Sequence, residues 1–256
     1  MCSPVKPIFS WCGRAGSAVP QLAFVAARRR TKRWAAPGKR RDRYARMLFE
    51  GGSAMRNIAR LRDFIQSFTR LIEQAGDDEE RIFADGEKLL SELVSHDDWL
   101  PDDFAQPSPE RYQQYLLYCD PMERFSVVSF VWGPGQTTPV HDHTVWGMVG
   151  VMRGAEACEE FDLEPAAGRL RSRGTHQLPP GGIDLVSPRI GDIHKVSNAL
   201  AERASISIHI YGANIGAVKR HIYEPDTGSK KTFVSGYSSN VTPNIWDRSA
   251  ELATVN

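Results

Sequence analysis

Apolar positions in this chain repeat first with a helical period and then, past its middle, with a strand period. Ile58, Leu61, Phe64, Ile65, Phe68, Leu71 and Ile72 share one face of a helix that Gly76 ends. The acidic run Asp77-Asp78-Glu79-Glu80 suits the positive N-terminal end of a second helix, which Ile82, Leu89, Leu90 and Leu93 continue to about His96. Asp97-Asp98-Trp99-Leu100-Pro101 breaks that pattern, and Gln106-Pro107-Ser108-Pro109 opens a further short segment, Glu110 to Tyr118. The helical part is therefore expected over about residues 55–118. After Asp120-Pro121 the chain turns β-rich, with strands predicted at 124–132, 139–151, 155–163, 168–172, 183–187, 193–198, 204–211, 218–224 and 231–235. Turns such as Gly133-Pro134-Gly135 and Pro179-Pro180-Gly181-Gly182 separate them. Many short strands behind a helical preface predict a mostly β fold, a double-sheet jelly roll with the helices packed outside.

The strand at 204–211 carries two unlike faces, with Ile206, Ile208 and Ile210 on one and Ser205, Ser207, His209 and Tyr211 on the other. A sheet wet on one side would bury the isoleucines and expose the polar row. A small barrel would instead cover the isoleucines with the N-terminal helices and turn the polar row into a cavity. The second arrangement is the one that fits both faces.

Composition changes this picture at one end only. The chain has 256 residues, 41% apolar and 25% charged, and no apolar run long enough to span a membrane. Residues 1–54 hold 12 Lys/Arg against Asp42 and Glu50, leaving them at +10 and the remainder at −9. That basic, aperiodic stretch reads as an unstructured extension, with Met55 as an alternative start of the folded chain, residues 55–256. The acidic remainder is a poor surface for nucleic acid, because phosphate binding needs concentrated positive charge. Cys2, Cys12, Cys119 and Cys158 form no C-x-x-C pattern, which suits a reduced, cytoplasmic protein. Nothing in the pattern signals an oligomeric state.

The candidate chemistry begins at Gly135-(x5)-His141-x-His143-(x10)-Gly154. Strand alternation places His141 and His143 on one face and Asp142 on the other, so two imidazoles can grip one metal ion. A second segment, Gly182-(x5)-Pro188-x-x-Gly191-x-x-His194-(x3)-Asn198, follows it. Together the two resemble the paired motifs of the cupin superfamily, double-stranded β-helix barrels that hold a metal inside. On that resemblance the barrel runs over about 122–236, with a tail at 237–256, and His194 is the third metal ligand. Where many cupins carry an acidic ligand, this chain has Gly147-Met148, so the ligand set is three neutral imidazoles. Such a site leaves the full metal charge available to an anionic substrate such as a thiolate.

The resemblance then narrows. Arg124-Phe-Ser-Val-Val-Ser-Phe-Val-Trp-Gly-Pro-Gly, the His-Asp-His run and Ser207-Ile-His209-Ile-Tyr211 resemble the cysteine dioxygenase family of thiol dioxygenases. Arg111-Tyr-Gln-Gln-Tyr-Leu-Leu, Thr144-Val-Trp-Gly, Pro188-Arg-Ile-Gly-Asp-Ile-His and Tyr211-Gly-Ala-Asn-Ile-Gly-Ala-Val resemble its bacterial 3-mercaptopropionate dioxygenase branch. The resemblance covers about residues 55–248. It implies one Fe(II) per chain on His141, His143 and His194, O2 as co-substrate, and a Ser207–His209–Tyr211 relay beside the metal. It also places Gln114 where a substrate carboxylate is held, Arg220 as a supporting pocket arginine, and Arg111 out of register at the surface. No cysteine follows His143, so Tyr211 is expected to be free of the thioether crosslink found in mammalian-type members, and Cys119 and Cys158 to be ordinary small residues. The implied activity is oxidation of a small carboxylate-bearing thiol to its sulfinic acid, with 3-mercaptopropionate preferred and L-cysteine as the alternative. A cupin carrying manganese, nickel or zinc, or one that only binds a ligand, stays open, because imidazole ligands accept all these metals.

Overall fold

A computed structural model of the chain describes residues 57–164 and 168–248. The expectations for the basic extension, for Met55 and for the last residues of the tail lie outside that range. All described residues belong to one compact unit, Ser53–Asn256.

The two predicted helices form as α1 (Ala59–Ala75) and α2 (Glu79–Val94). Helix α1 buries Leu61, Phe64, Ile65, Phe68, Leu71 and Ile72, the stripe read from the sequence. Gly76 ends it with φ 57°, a left-handed conformation natural to glycine, and its N–H closes on the Ile72 carbonyl. Helix α2 starts on Asp78, whose side chain accepts from the Arg81 N–H at 3.1 Å, and Glu79 and Glu80 fill its first turn. Neither helix is long and apolar enough to cross a membrane.

Among the described residues eleven strands follow: β1 (Gln113–Cys119), β2 (Ser126–Trp132), β3 (Val140–His141), β4 (Gly147–Arg153), β5 (Glu156–Glu164), β6 (Arg169–Leu178), β7 (Ile183–Val186), β8 (Ile193–Asn198), β9 (Ser205–Tyr211), β10 (Arg220–Tyr223) and β11 (Lys230–Phe233). They form two sheets, ordered β1-β2-β9-β4-β7 and β11-β10-β3-β8-β5-β6, with every pairing antiparallel. This is the expected mostly β, double-sheet jelly roll with helices outside it, although among the described residues its two sheets do not join into one continuous barrel.

Two sequence expectations are corrected. The segment Glu110 to Tyr118 is no part of the helical preface, because Gln113–Cys119 pairs along β2 from Gln113↔Val131 to Cys119↔Ser126. Its run Tyr115-Leu116-Leu117-Tyr118 suits either period, and the open edge of β2 decides for strand. The predicted strand 139–151 is interrupted between β3 and β4, where Thr144 adopts φ 60°.

The five-stranded sheet is buried on both faces. Its outer face, with Val127, Val131, Met148, Ile206, Ile208 and Ile210, packs against α1 and α2 in one apolar cluster. Phe68, fully buried there, contributes roughly 1.5–3 kcal/mol by leaving water. Close contact with α2 relies on two glycines: a Cβ at Gly86 would come within 2.7 Å of Met148, and one at Gly150 within 3.0 Å of Leu90. The inner face gives Val128, Phe130, Trp132 and Tyr211, which meet Cys158 and Val196 of the six-stranded sheet. The covered-isoleucine arrangement is therefore the one adopted, and it turns the polar row of β9 into the space between the sheets.

Candidate metal centre

Register brings the three histidines together. His141 of β3 lies directly opposite His194 of β8, and His143 follows two residues along. All three are buried, with ring centroids 4.8–5.0 Å apart and ligand-capable nitrogens within 4.8 Å of one another. Each ring has its Nδ1 engaged from behind. The His141 Nδ1–H donates to the Pro139 carbonyl at 3.0 Å. His143 Nδ1 lies 2.8 Å from Asp192 Oδ1, and His194 Nδ1 lies 3.4 Å from Cys158 Sγ. That pattern leaves the Nε2 atoms to converge, and His143 Nε2 is buried with no hydrogen-bond partner. An orphaned acceptor in a ring of imidazoles is what a bound metal would satisfy. Burial, with mutual repulsion among the rings, holds His141 and His194 well below the ordinary histidine pKa, so they stay neutral and able to coordinate.

Asp192, which spacing did not single out, organises the turn after His143. Beyond the imidazole, its carboxylate accepts from the backbone N–H of His143 at 3.0 Å and of Thr144 at 2.9 Å. Asp142, on the opposite face as expected, ties β3 to β10 by accepting from the His221 N–H, the His221 ring and the Tyr223 hydroxyl at 2.7–2.8 Å.

On β9 the polar row forms a continuous chain. Ser207 Oγ lies 2.8 Å from His209 Nε2, and His209 Nδ1 lies 2.8 Å from the Tyr211 hydroxyl. Phe130 stacks on His209 at 4.1 Å, and the Tyr211 ring stacks on His143 at 5.4 Å, which carries the chain to the histidine cluster. Burial pushes the Tyr211 phenol above its ordinary value and holds His209 well below, so both are neutral.

A cavity of about 280 Å³ opens beside His141, lined among others by Tyr112, Gln114, Phe130 and Arg220. Arg220 is buried, and it has no carboxylate partner among the described residues. Its Nη2 donates to Ser235 Oγ at 2.7 Å, its Nε is unpartnered, and its guanidinium lies 4.8 Å over the Phe233 ring. Gln114 spends both hydrogens of its amide nitrogen on Ser235 Oγ at 3.1 Å and the Gly236 carbonyl at 3.0 Å. Arg111 is exposed and stands at the rim of the same cavity. The segment Ser235–Ser238, at the end of the last predicted strand and the start of the tail, lines the same cavity and hydrogen-bonds β1 through the Gln114 carbonyl.

A second donor group, Cys158, His176 and Asp184, comes within 4.8 Å at the facing edges of the two sheets. Here His176 Nε2 lies 2.7 Å from Asp184 Oδ2, a hydrogen bond that links β6 to β7 across the open side. The two described cysteines, Cys119 and Cys158, are free. Cys158 is more than a small buried residue, because its sulfur touches a ring of the cluster.

No family model matches the chain. Among solved structures it is similar to a double-stranded β-helix protein of Klebsiella pneumoniae, at 16% identity and a TM-score of 0.36, over 54% of this chain and 97% of that one. A cupin 2 conserved barrel protein of Rhodopseudomonas palustris matches at 15% identity and 0.35, over 48% and 77%. An oxalate oxidase in complex with glycolate matches at 17% and 0.33, over 41% and 53%. Likenesses this distant say nothing about activity, and the fold rests on the sheet order itself.

Proposed function

We propose that this protein is an Fe(II)-dependent thiol dioxygenase that converts a small carboxylate-bearing thiol to its sulfinic acid, with 3-mercaptopropionate preferred. The observation that carries the proposal is a ring of three imidazoles with no carboxylate among its donors, beside a cavity whose buried arginine has no carboxylate partner among the described residues. A substrate with a thiolate at one end and a carboxylate at the other answers both vacancies in charge. The reaction balances without an outside reductant: RS⁻ and O2 give RSO2⁻, sulfur losing the four electrons that the two oxygen atoms gain.

When bound, iron supplies the centre at which thiolate and O2 meet and exchange electrons. The chain's own residues do the rest. Arg220 receives the carboxylate, a charge-assisted contact strengthened by burial. Gln114, with both amide hydrogens committed to the Ser235–Gly236 turn, holds Ser235 where it orients Arg220, and its own contact with substrate is limited to its oxygen. Tyr211, backed by His209 and Ser207, offers one hydroxyl to the reacting end of the substrate. Phe130 and Tyr112 narrow the cavity and exclude water.

The lining of the cavity also ranks the substrates. It includes Arg111 and Arg220 but no Asp or Glu, so the ammonium group of L-cysteine would enter with no anion to meet it. The test is oxygen uptake by iron-loaded protein with 3-mercaptopropionate, L-cysteine and cysteamine compared at matched concentration. The order expected for kcat/KM is 3-mercaptopropionate, then cysteine, then cysteamine. A preference for cysteamine would rule out the carboxylate contact, and no uptake with any of the three would rule out the activity.

A further inference from the structure

The hydrogen-bonded row on β9 does not stop at Ser207. Glu156, the first residue of β5, is completely buried and faces the same space. Its Oε1 lies 3.2 Å from the Ser205 hydroxyl, which shares its one hydrogen with the Arg153 carbonyl at 2.9 Å. The Ser207 hydroxyl and the Trp132 indole N–H approach as further donors without reaching good hydrogen-bond geometry, and Oε2 is left with no partner. Trp132 Nε1 sits 3.4 Å from Ser207 Oγ, so indole, hydroxyl and carboxyl meet at one point. Among the described residues no cation forms an ion pair with this carboxyl; ionisable groups that act on it or feel it are Asp184 of β7, Cys158 two residues along β5, and Tyr211 of β9.

We propose that Glu156 is a positioning residue that ends the Ser207–His209–Tyr211 chain and sets the direction in which every hydrogen bond of that chain points. With Glu156 protonated, its O–H donates to Ser207, Ser207 donates to His209 Nε2, and His209 Nδ1–H donates to the Tyr211 oxygen. Tyr211, stacked on His143, then has its own hydrogen free to donate. With Glu156 ionised the order reverses: Ser207 donates to the carboxylate, His209 Nε2–H to Ser207, and Tyr211 to His209 Nδ1. Tyr211 then has only lone pairs left to offer a further partner. His209 stays neutral in both states and merely exchanges tautomers, as one proton leaves Glu156 for solvent.

Burial favours the protonated form: loss of hydration raises the Glu156 pKa to about 7 although Ser207, Ser205 and Trp132 act to lower it. The two directions are therefore both reachable near neutral pH. The effect on catalysis rests on the proposed role of Tyr211; the proton chain itself does not.

The experiment uses the full chain loaded with zinc, a diamagnetic probe that keeps the three ligand histidines neutral, labelled with [13C]Glu and [15N]His. In the unsubstituted protein the protonated nitrogen of His209 should switch from Nδ1 to Nε2, with a midpoint within about one pH unit of that of Glu156. Glu156→Gln, which keeps a donor but cannot ionise, should hold Nδ1 protonated throughout. Ser207→Ala should leave Glu156 titrating while His209 no longer follows. With iron and thiol, kcat/KM should fall about ten-fold per pH unit above the midpoint, a limb that Glu156→Gln removes. A His209 tautomer that ignores the titration of Glu156, or that follows pH equally in Glu156→Gln, overturns the proposal. Absence of oxygen uptake with the tautomer switch intact would remove the dioxygenase reading and leave the proton chain standing.

Discussion

Asp192→Asn keeps the size of the side chain and removes its charge, at a residue that touches the proposed metal site only through His143. The Asp192 carboxylate accepts from His143 Nδ1 at 2.8 Å, from the His143 N–H at 3.0 Å and from the Thr144 N–H at 2.9 Å. An asparagine has one acceptor oxygen for these three donors, so whichever way the amide turns, its NH2 faces an N–H. With the amide oxygen kept toward His143, the imidazole's hydrogen bond loses its charge assistance, part of about 1.5–3 kcal/mol, and the Thr144 N–H meets the NH2. Much of that energy is realised only when His143 is held in the tautomer that coordinates, so metal affinity should fall by about 10–100-fold. Thr144, at φ 60° without being glycine, loses the contact that fixes it, and that adds a loss of roughly 1 kcal/mol to the metal-free fold. Competition against a chromophoric chelator measures the first quantity, and urea unfolding of metal-free protein measures the second. If Asp192→Asn binds iron and zinc as tightly as the parent chain, Asp192 does not orient His143 as argued.

Arg220→Met should lower kcat/KM for 3-mercaptopropionate by about 10–100-fold while leaving cysteamine almost unaffected, as steady-state oxygen uptake would show; an equal loss on both thiols would mean a general disruption. Gly212→Ala sets a Cβ against the Trp146 indole and should cost about 1–3 kcal/mol in urea unfolding, since the ring is itself packed against Phe68 and Phe83. An unchanged midpoint would show that Trp146 can move. The raised pKa of Glu156 means that the native state holds a proton the unfolded chain has lost, so stability should fall as pH rises from about 4.5 to about 7. The shift corresponds to about 3 kcal/mol. Buried His141, His194 and His209, with depressed values, slope the other way below the ordinary histidine range. The difference between the parent chain and Glu156→Gln isolates the carboxyl, and a flat difference curve would contradict its burial in protonated form.

The parts of this molecule that sequence makes legible are those in which one chain segment carries the whole signal. The stripe of α1, the acidic start of α2 and the two faces of β9 are periodic within themselves, and each forms as its period dictates. His141, His143 and His194 are also readable, because alternation pairs two of them and the resemblance of the second segment to a known motif implies the third. Strand β1 was hidden because its four central residues, Tyr115 to Tyr118, are apolar on every side and the deciding partner, β2, begins after a turn. The break at Thr144 was hidden because Asp192, nearly fifty residues on, takes the N–H groups that a continuous strand would have used. Cys158, Glu156 and Asp192 act through cross-strand register: Cys158 stands opposite Val196 on β8, which brings its sulfur behind His194, and no local pattern announces that. The Ser235–Ser238 segment becomes a cavity wall only because β1 is there to bind it.

The central claim is that the His141–His143–His194 ring holds iron for the addition of both oxygen atoms to one sulfur. Mass spectrometry of the product formed by iron-loaded protein from 3-mercaptopropionate under 18O2 tests it most directly. The account expects a sulfinic acid carrying two heavy oxygens, one O2 consumed per thiol, and no product from His141→Ala. Disulfide as the product, a single heavy oxygen, or full activity in His141→Ala would contradict it.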